Sequence, residues 1–177
     1  MRKQLLFLIF CLCALFINVE SYSQFRLSDW KTYTSLMNVR DVAFDGQKLW
    51  LATSGGAFNY DLISEEIREL RNLEGLIRLN LTVVAFNEKD KSYYFGSKDG
   101  YIHILNSDGS FTYITDIVVS KYPNPEIRKI EFYDEKAIIA GGFGITLFDT
   151  KEKVFIETAS KFGDLSSEPQ ILSLIHI

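Results

Sequence analysis

The 177 residues carry 24% charged and 47% hydrophobic side chains with a formal net charge of -4, the composition of one folded globular domain. That excludes a disordered chain, and the mild acidity argues against nucleic acid or an anionic membrane surface as a general partner. Two cysteines and two histidines leave little with which to build metal or nucleophile chemistry.

Arg2 and Lys3 precede an apolar run from Leu5 to Val19, and Glu20-Ser21-Tyr22-Ser23-Gln24 follows. A charged start, an apolar middle and small residues at the cut are the layout of a secretory signal peptide, so residues 1–23 are expected to be removed after Ser23. The run is shorter than the roughly 20 apolar residues that a membrane span needs. A lipid anchor on Cys11 or Cys13 is disfavoured by the bulky Phe10 and Leu12 before them. Both cysteines leave with the leader, so the mature chain is expected to hold no disulfide, no Cys nucleophile and no Cys-type zinc site. Losing Arg2, Lys3 and Glu20 moves the formal charge from -4 to -5.

Next in the chain, Trp30-Lys31-Thr32-Tyr33 reads as a lone fourth strand whose three companions are absent from this end. Then a repeat begins. Val39 to Phe44 with Leu49 to Asp61, Leu81 to Phe86 with Tyr93 to Leu105, and Ile127 to Phe132 with Ala137 to Asp149 align. Their glycines, Gly56, Gly100 and Gly144, are spaced 44 residues apart both times. Each unit opens on an alternating strand, Val42/Phe44, Val84/Phe86 or Ile130/Phe132, whose side chains share one face. A second strand, carrying Trp50 in the first unit, leads to the glycine, where a tight hairpin needs positive φ. A third strand runs from there, and turns such as Ser107-Asp108-Gly109 lead to a fourth, as at Phe111 to Ile114 and Val154 to Glu157. The charged stretch Ser64 to Leu73 lacks Gly and Pro and has helix as its rival, but the aligned segments predict strand.

Four short strands in each repeat of this length are the signature of a propeller blade. The fold expected is all-β: a β-propeller of about three four-stranded blades, with a closing strand and a fragment of a fourth. Domains of this kind need about 4 to 8 blades to close, so the ring is not closed and the chain reads as truncated. Residues 24–171 form the N-terminal part of the propeller. Leu172-Ser173-Leu174-Ile175-His176-Ile177 resembles the translation of a transposon end used in preparing DNA libraries, and residues 172–177 are expected to be a non-native tail.

Reactive groups are sparse. His103, on a third strand, is expected to be a partly buried structural histidine. Gly141-Gly142-Phe143-Gly144 lies between two strands, so it reads as a hairpin and not as a phosphate loop before a helix. No Gly-x-Ser-x-Gly elbow presents a serine, and no calcium-loop spacing occurs. No enzyme activity, cofactor or metal is expected. One constellation has binding chemistry: Arg40, Thr82 and Arg128 occupy the same register of the innermost strand, near one mouth of the central channel. Arg40 and Arg128 there can hold an anionic group by paired hydrogen bonds; the plainer reading pairs them with neighbours such as Asp41 and Glu131.

Leu49-Trp50-Leu51-Ala52-Thr53 with Gly56, Tyr60-Asp61 and Glu74-Gly75-Leu76 resembles the two-component-regulator propeller repeat. The opening from Trp30 through Asn38-Val39, directly after a leader, is similar to the N-terminal propeller of PorZ-like proteins of the type IX secretion system of Bacteroidetes-type bacteria. The resemblance implies an exported scaffold or binding module in the periplasm or at the surface of a Gram-negative cell. Its partners would be a protein or an anionic glycan at the propeller face, together with the remaining blades of its own chain. The alternative it implies is the sensing ectodomain of a hybrid two-component histidine kinase.

Overall fold

The computed structural model describes residues 34–160. The expected leader, the strand at Trp30–Tyr33, the fourth-blade fragment after residue 160 and the tail lie outside these residues.

Within them, three antiparallel four-stranded sheets follow one another, each with its strands in chain order. Blade one is β1 (Val39–Phe44), β2 (Lys48–Thr53), β3 (Gly56–Asp61) and β4 (Ile67–Leu70). Blade two is β5 (Leu81–Asn87), β6 (Ser92–Ser97), β7 (Ile102–Leu105) and β8 (Phe111–Ile114). Blade three is β9 (Ile127–Tyr133), β10 (Lys136–Gly141), β11 (Gly144–Asp149) and β12 (Val154–Ala159). The first strands are neighbours from blade to blade, β1 beside β5 and β5 beside β9. This is the all-β propeller arc that the repeat predicts, and the three blades leave the ring open.

The stretch Ser64 to Leu73 supplies β4, not a helix. The one short helix among the described residues, α1 (Asp116–Val119), falls where no helix is expected, in a run of β-branched residues. Burial explains it. Ile117 is 4% exposed and anchors that loop in the core beside Gly100, where tertiary packing outweighs the strand preference of Ile-Val-Val.

The apolar side chains form two clusters, and each is a seam between two blades. In the first, Trp50, Ala52, Ala57 and Leu70 of blade one meet Leu81, Val84, Tyr93 and Phe95 of blade two. In the second, Val83, Tyr94, Ile102 and Ile104 of blade two meet Ile127, Ile130, Ala137, Ile139 and Phe148 of blade three. The period of two along a strand makes this possible: Tyr93 and Phe95 point to one seam, and Tyr94 between them points to the other. Every residue of β6 is buried as a result. Trp50 and Tyr94 hold equivalent positions, opposite Ala43 and Ala85, and do the same work. The Trp50 ring lies 5.3 Å from Tyr93 and 5.5 Å from Phe95, and the Tyr94 ring lies 4.9 Å from Phe132. Each aromatic ring covered in this way contributes about 4–6 kcal/mol at about 25 cal/mol per Å2.

The repeat glycines behave as their spacing predicts. Gly56, Gly100 and Gly144 sit where the chain leaves each second-to-third-strand turn, with φ of 126, 87 and 110°. A side chain is doubly excluded at Gly56, because its Cβ would lie 2.5 Å from the Leu70 carbonyl oxygen of β4.

Candidate functional site

The inner strands share an irregularity. Pairing of β1 with β2 slips between Val39 and Asp41, that of β5 with β6 slips between Leu81 and Val83, and that of β9 with β10 steps from Ile127 to Lys129. Arg40, Thr82 and Arg128 are the residues passed over, each a β-bulge, and a bulge re-aims its side chain.

All three turn towards a seam or an adjacent carboxylate. Arg40 Nη1 donates to Asn80 Oδ1 at 2.7 Å and to the Leu81 carbonyl at 3.1 Å, both in the connection to blade two. The Thr82 hydroxyl lies 2.5 Å from the Ile127 carbonyl of blade three and 3.1 Å from that of Gly96. Arg128 Nε and Nη2 donate to Glu126 Oε2 at 3.0 and 2.9 Å. Its Nη1 is buried with no acceptor among the described residues. The two acids named as examples of local partners are engaged elsewhere. Asp41 accepts the Val84 N–H across the seam at 3.0 Å, and Glu131 pairs with Lys129 at 3.0 Å. Arg128 pairs with a sequence neighbour all the same, Glu126, whereas the bulge at Arg40 turns that side chain across to the connection to blade two.

A second assembly lies in the groove between blades one and two, a cavity of about 290 Å3. Trp50 and Tyr93 line it together with Asn59 and Asn106, and Lys48, Arg68 and Lys91 bring three cations to it. The single acid in the lining is Asp45, and its oxygens are committed. One accepts the Gln47 and Lys48 N–H groups at 2.8 and 2.6 Å, and the other accepts the Tyr93 hydroxyl. Burial pushes the Asp45 carboxyl up, but these bonds outweigh it and hold the group below its ordinary range. Tyr93 is pushed well above the usual phenol range, first by burial and then by the Asp45 carboxylate, so it stays a neutral donor. The groove is thus cationic around an aromatic floor. By contrast, a cavity of about 390 Å3 between blades two and three is lined by Glu88, Glu131 and Asp134, with Lys89 its only cation.

These groove residues escape sequence reasoning because Lys48, Arg68 and Lys91 lie on separate elements of two repeats, with no spacing to mark them. The usable signal was Trp50 itself, whose position faces the next blade. His103 is fully buried, more deeply than expected, and its Nε2 accepts the Arg78 N–H at 3.1 Å. Burial drives it down to about 4, so it is a neutral acceptor at physiological pH. Among the described residues no group of three or more His, Cys, Asp or Glu side chains could hold a metal ion. No helix among them is long and apolar enough to cross a membrane.

Stacked four-stranded blades, the first two each bridged to the next from an inner-strand bulge, define a β-propeller module. Residues 49–170 match the family described as TSS9, PorZ, N-terminal β-propeller domain, and the chain belongs to that family. Its structure is similar to that of PorZ, a bacterial surface component of the type-IX secretion system of Porphyromonas gingivalis. That likeness has a TM-score of 0.69 at 20% identity, covering 75% of this chain and 18% of that one. It is also similar to the extracellular domain of a hybrid two component system from B. thetaiotaomicron, with a TM-score of 0.59 at 21% identity, covering 71% of this chain and 17% of that one. A lambda-carrageenase from a Pseudoalteromonas species is 27% identical over 105 residues, which are 59% of this chain and 9% of the enzyme. The chain therefore spans less than a tenth of that curated relative and about a fifth of each solved neighbour.

Proposed function

We propose that this chain is part of an exported, non-enzymatic module of the type IX secretion apparatus, displayed at the cell surface, where it binds an anionic glycan. Membership of the PorZ propeller family supports the setting. The observation that carries the ligand class is the groove between blades one and two, in which Lys48, Arg68 and Lys91 surround Trp50 and Tyr93. Amide side chains such as Asn106 hydrogen-bond sugar hydroxyls, and cations take up acidic substituents.

Calorimetric titration of the protein with lipopolysaccharide, against a neutral dextran, tests this. Replacing Lys48, Arg68 and Lys91 together by glutamine is expected to weaken binding at least tenfold and to flatten its salt dependence. Undiminished affinity in the triple variant would remove the groove from consideration.

A second reading puts the anionic group at the channel mouth on Arg40 and Arg128, favoured by the exposure of Arg40. Replacing both arginines by alanine lowers affinity on that reading and leaves it unchanged on the first. The sensor alternative finds support in the structural likeness to a two component system's extracellular domain. It predicts a membrane span and kinase domain in the same reading frame, and the secretion reading predicts neither.

A further inference from the structure

We propose that Asn59 and Arg68 form a polar ladder that sets what the cationic groove selects: Arg68 takes up an oxyanion and Asn59 bonds a hydroxyl beside it, so that the groove reads one acidic sugar unit. The proposal rests on the reading of that groove as the anion site and names the groups that make it selective.

Strand pairing builds the ladder. Trp50 of β2 stands opposite Asn59 of β3, and Asn59 stands opposite Arg68 of β4. Directly opposed residues of antiparallel strands point to one face, and all three line the groove. The neighbouring row on that face, Ala52, Ala57 and Leu70, is fully buried.

The repeat shows what this position holds elsewhere. The matching row is Tyr94, Ile104 and Thr112 in blade two and Ile138, Leu147 and Glu157 in blade three. Ile104 is fully buried in the second seam, and Thr112 accepts a hydrogen bond from Asn106. Blade one puts an amide where the other two put an aliphatic side chain. Asn59 is 5% exposed, and among the described residues its amide has no hydrogen-bond partner and Arg68 has no ion pair. An unbonded amide at so buried a position costs stability, so its presence there needs a use other than packing. Neither of its polar atoms is sealed, and the little surface left to Asn59 opens on the groove. An amide both donates and accepts, as a hydroxyl does, and the guanidinium fork matches a carboxylate or a phosphate.

Nuclear magnetic resonance titration of the full 177-residue chain, read at the Asn59 side-chain amide, tests the ladder with glucuronate, glucose 6-phosphate, glucose and inorganic phosphate. The resonance is expected to move with one or both acidic sugars, which tells a carboxylate from a phosphate ester, and to stay in place with the other two. Asn59→Leu, which keeps the shape of the side chain and copies Leu147, is expected to weaken acidic-sugar binding at least tenfold and to raise the midpoint of urea unfolding. Asn59→Asp, which sets a carboxylate beside Arg68, is expected to weaken binding as well. Response to neither acidic sugar, or an equal response to inorganic phosphate, overturns the proposal. So does undiminished binding in Asn59→Leu, and so does a lowered midpoint, because it would make the amide a structural group. Failure of the groove itself looks different. If the triple glutamine variant of Lys48, Arg68 and Lys91 loses lipopolysaccharide while Asn59→Leu still binds the acidic sugars, the groove stands and the ladder falls.

Discussion

The Tyr93 hydroxyl of blade two donates to the Asp45 carboxylate of blade one, closing the seam at the rim of the cationic groove. Tyr93→Phe keeps the ring against Trp50 and removes only this bond. Loss of one bond to a charged acceptor is expected to cost about 1.5–3 kcal/mol. The Asp45 carboxyl is held below its ordinary value, so its contribution is present at neutral pH and lost as pH falls through the folded value. The variant should therefore lose less stability than wild type on acidification, measured by urea unfolding at pH 7 and pH 3.

Trp50 is 2% exposed and lies almost wholly within the first seam. Trp50→Ala is expected to destabilise by about 3–5 kcal/mol, while Trp50→Phe, which keeps a ring between Tyr93 and Phe95, costs less than half of that. Thermal unfolding followed by near-ultraviolet circular dichroism reports both, since the loss should appear first in the aromatic signal of the seam.

The His103 side chain binds its proton far less readily in the folded chain, at about 4, than at its ordinary 6.5, because burial opposes the charge. The unfolded chain therefore takes up the proton first as pH falls. The His103 contribution is complete above about pH 6.5, declines between there and pH 4, and is constant below, amounting to about 3 kcal/mol in all. His103→Gln should flatten this part of the pH profile in chemical unfolding; a slope that survives the substitution would place its source elsewhere.

Two glycines separate backbone conformation from crowding. Gly46 and Gly56 both have positive φ, at 99 and 126°. A Cβ on Gly46 meets nothing within 4 Å, whereas one on Gly56 meets the Leu70 carbonyl. Gly46→Ala is expected to cost about 1 kcal/mol from backbone strain alone, and Gly56→Ala about 3 kcal/mol or more as β4 is forced from β3. Midpoints of urea unfolding for the two variants measure the difference.

The blades were legible because each must bury two faces with a period of two, and that demand writes Val42/Phe44, Val84/Phe86 and Ile130/Phe132 directly into the chain. The register of Arg40, Thr82 and Arg128 was legible too. That each is the surplus residue of a bulge was not, because a bulge exists only in the pairing of two strands. The groove was hidden for a related reason: Lys48, Arg68 and Lys91 resemble ordinary surface charges until two blades are placed side by side. The helix Asp116–Val119 was missed because its Ile-Val-Val run favours strand and is overruled by the burial of Ile117.

Because the apolar side chains are concentrated in the seams, the three sheets are unequal. Val42 of blade one is 53% exposed, while its counterparts Val84 and Ile130 are each 3% exposed. Blade two alone takes part in both clusters. On heating, β6, buried at every position, should be the last of the described strands to give up its amide protons, so that the order of exchange follows burial in the seams more closely than the composition of any one blade.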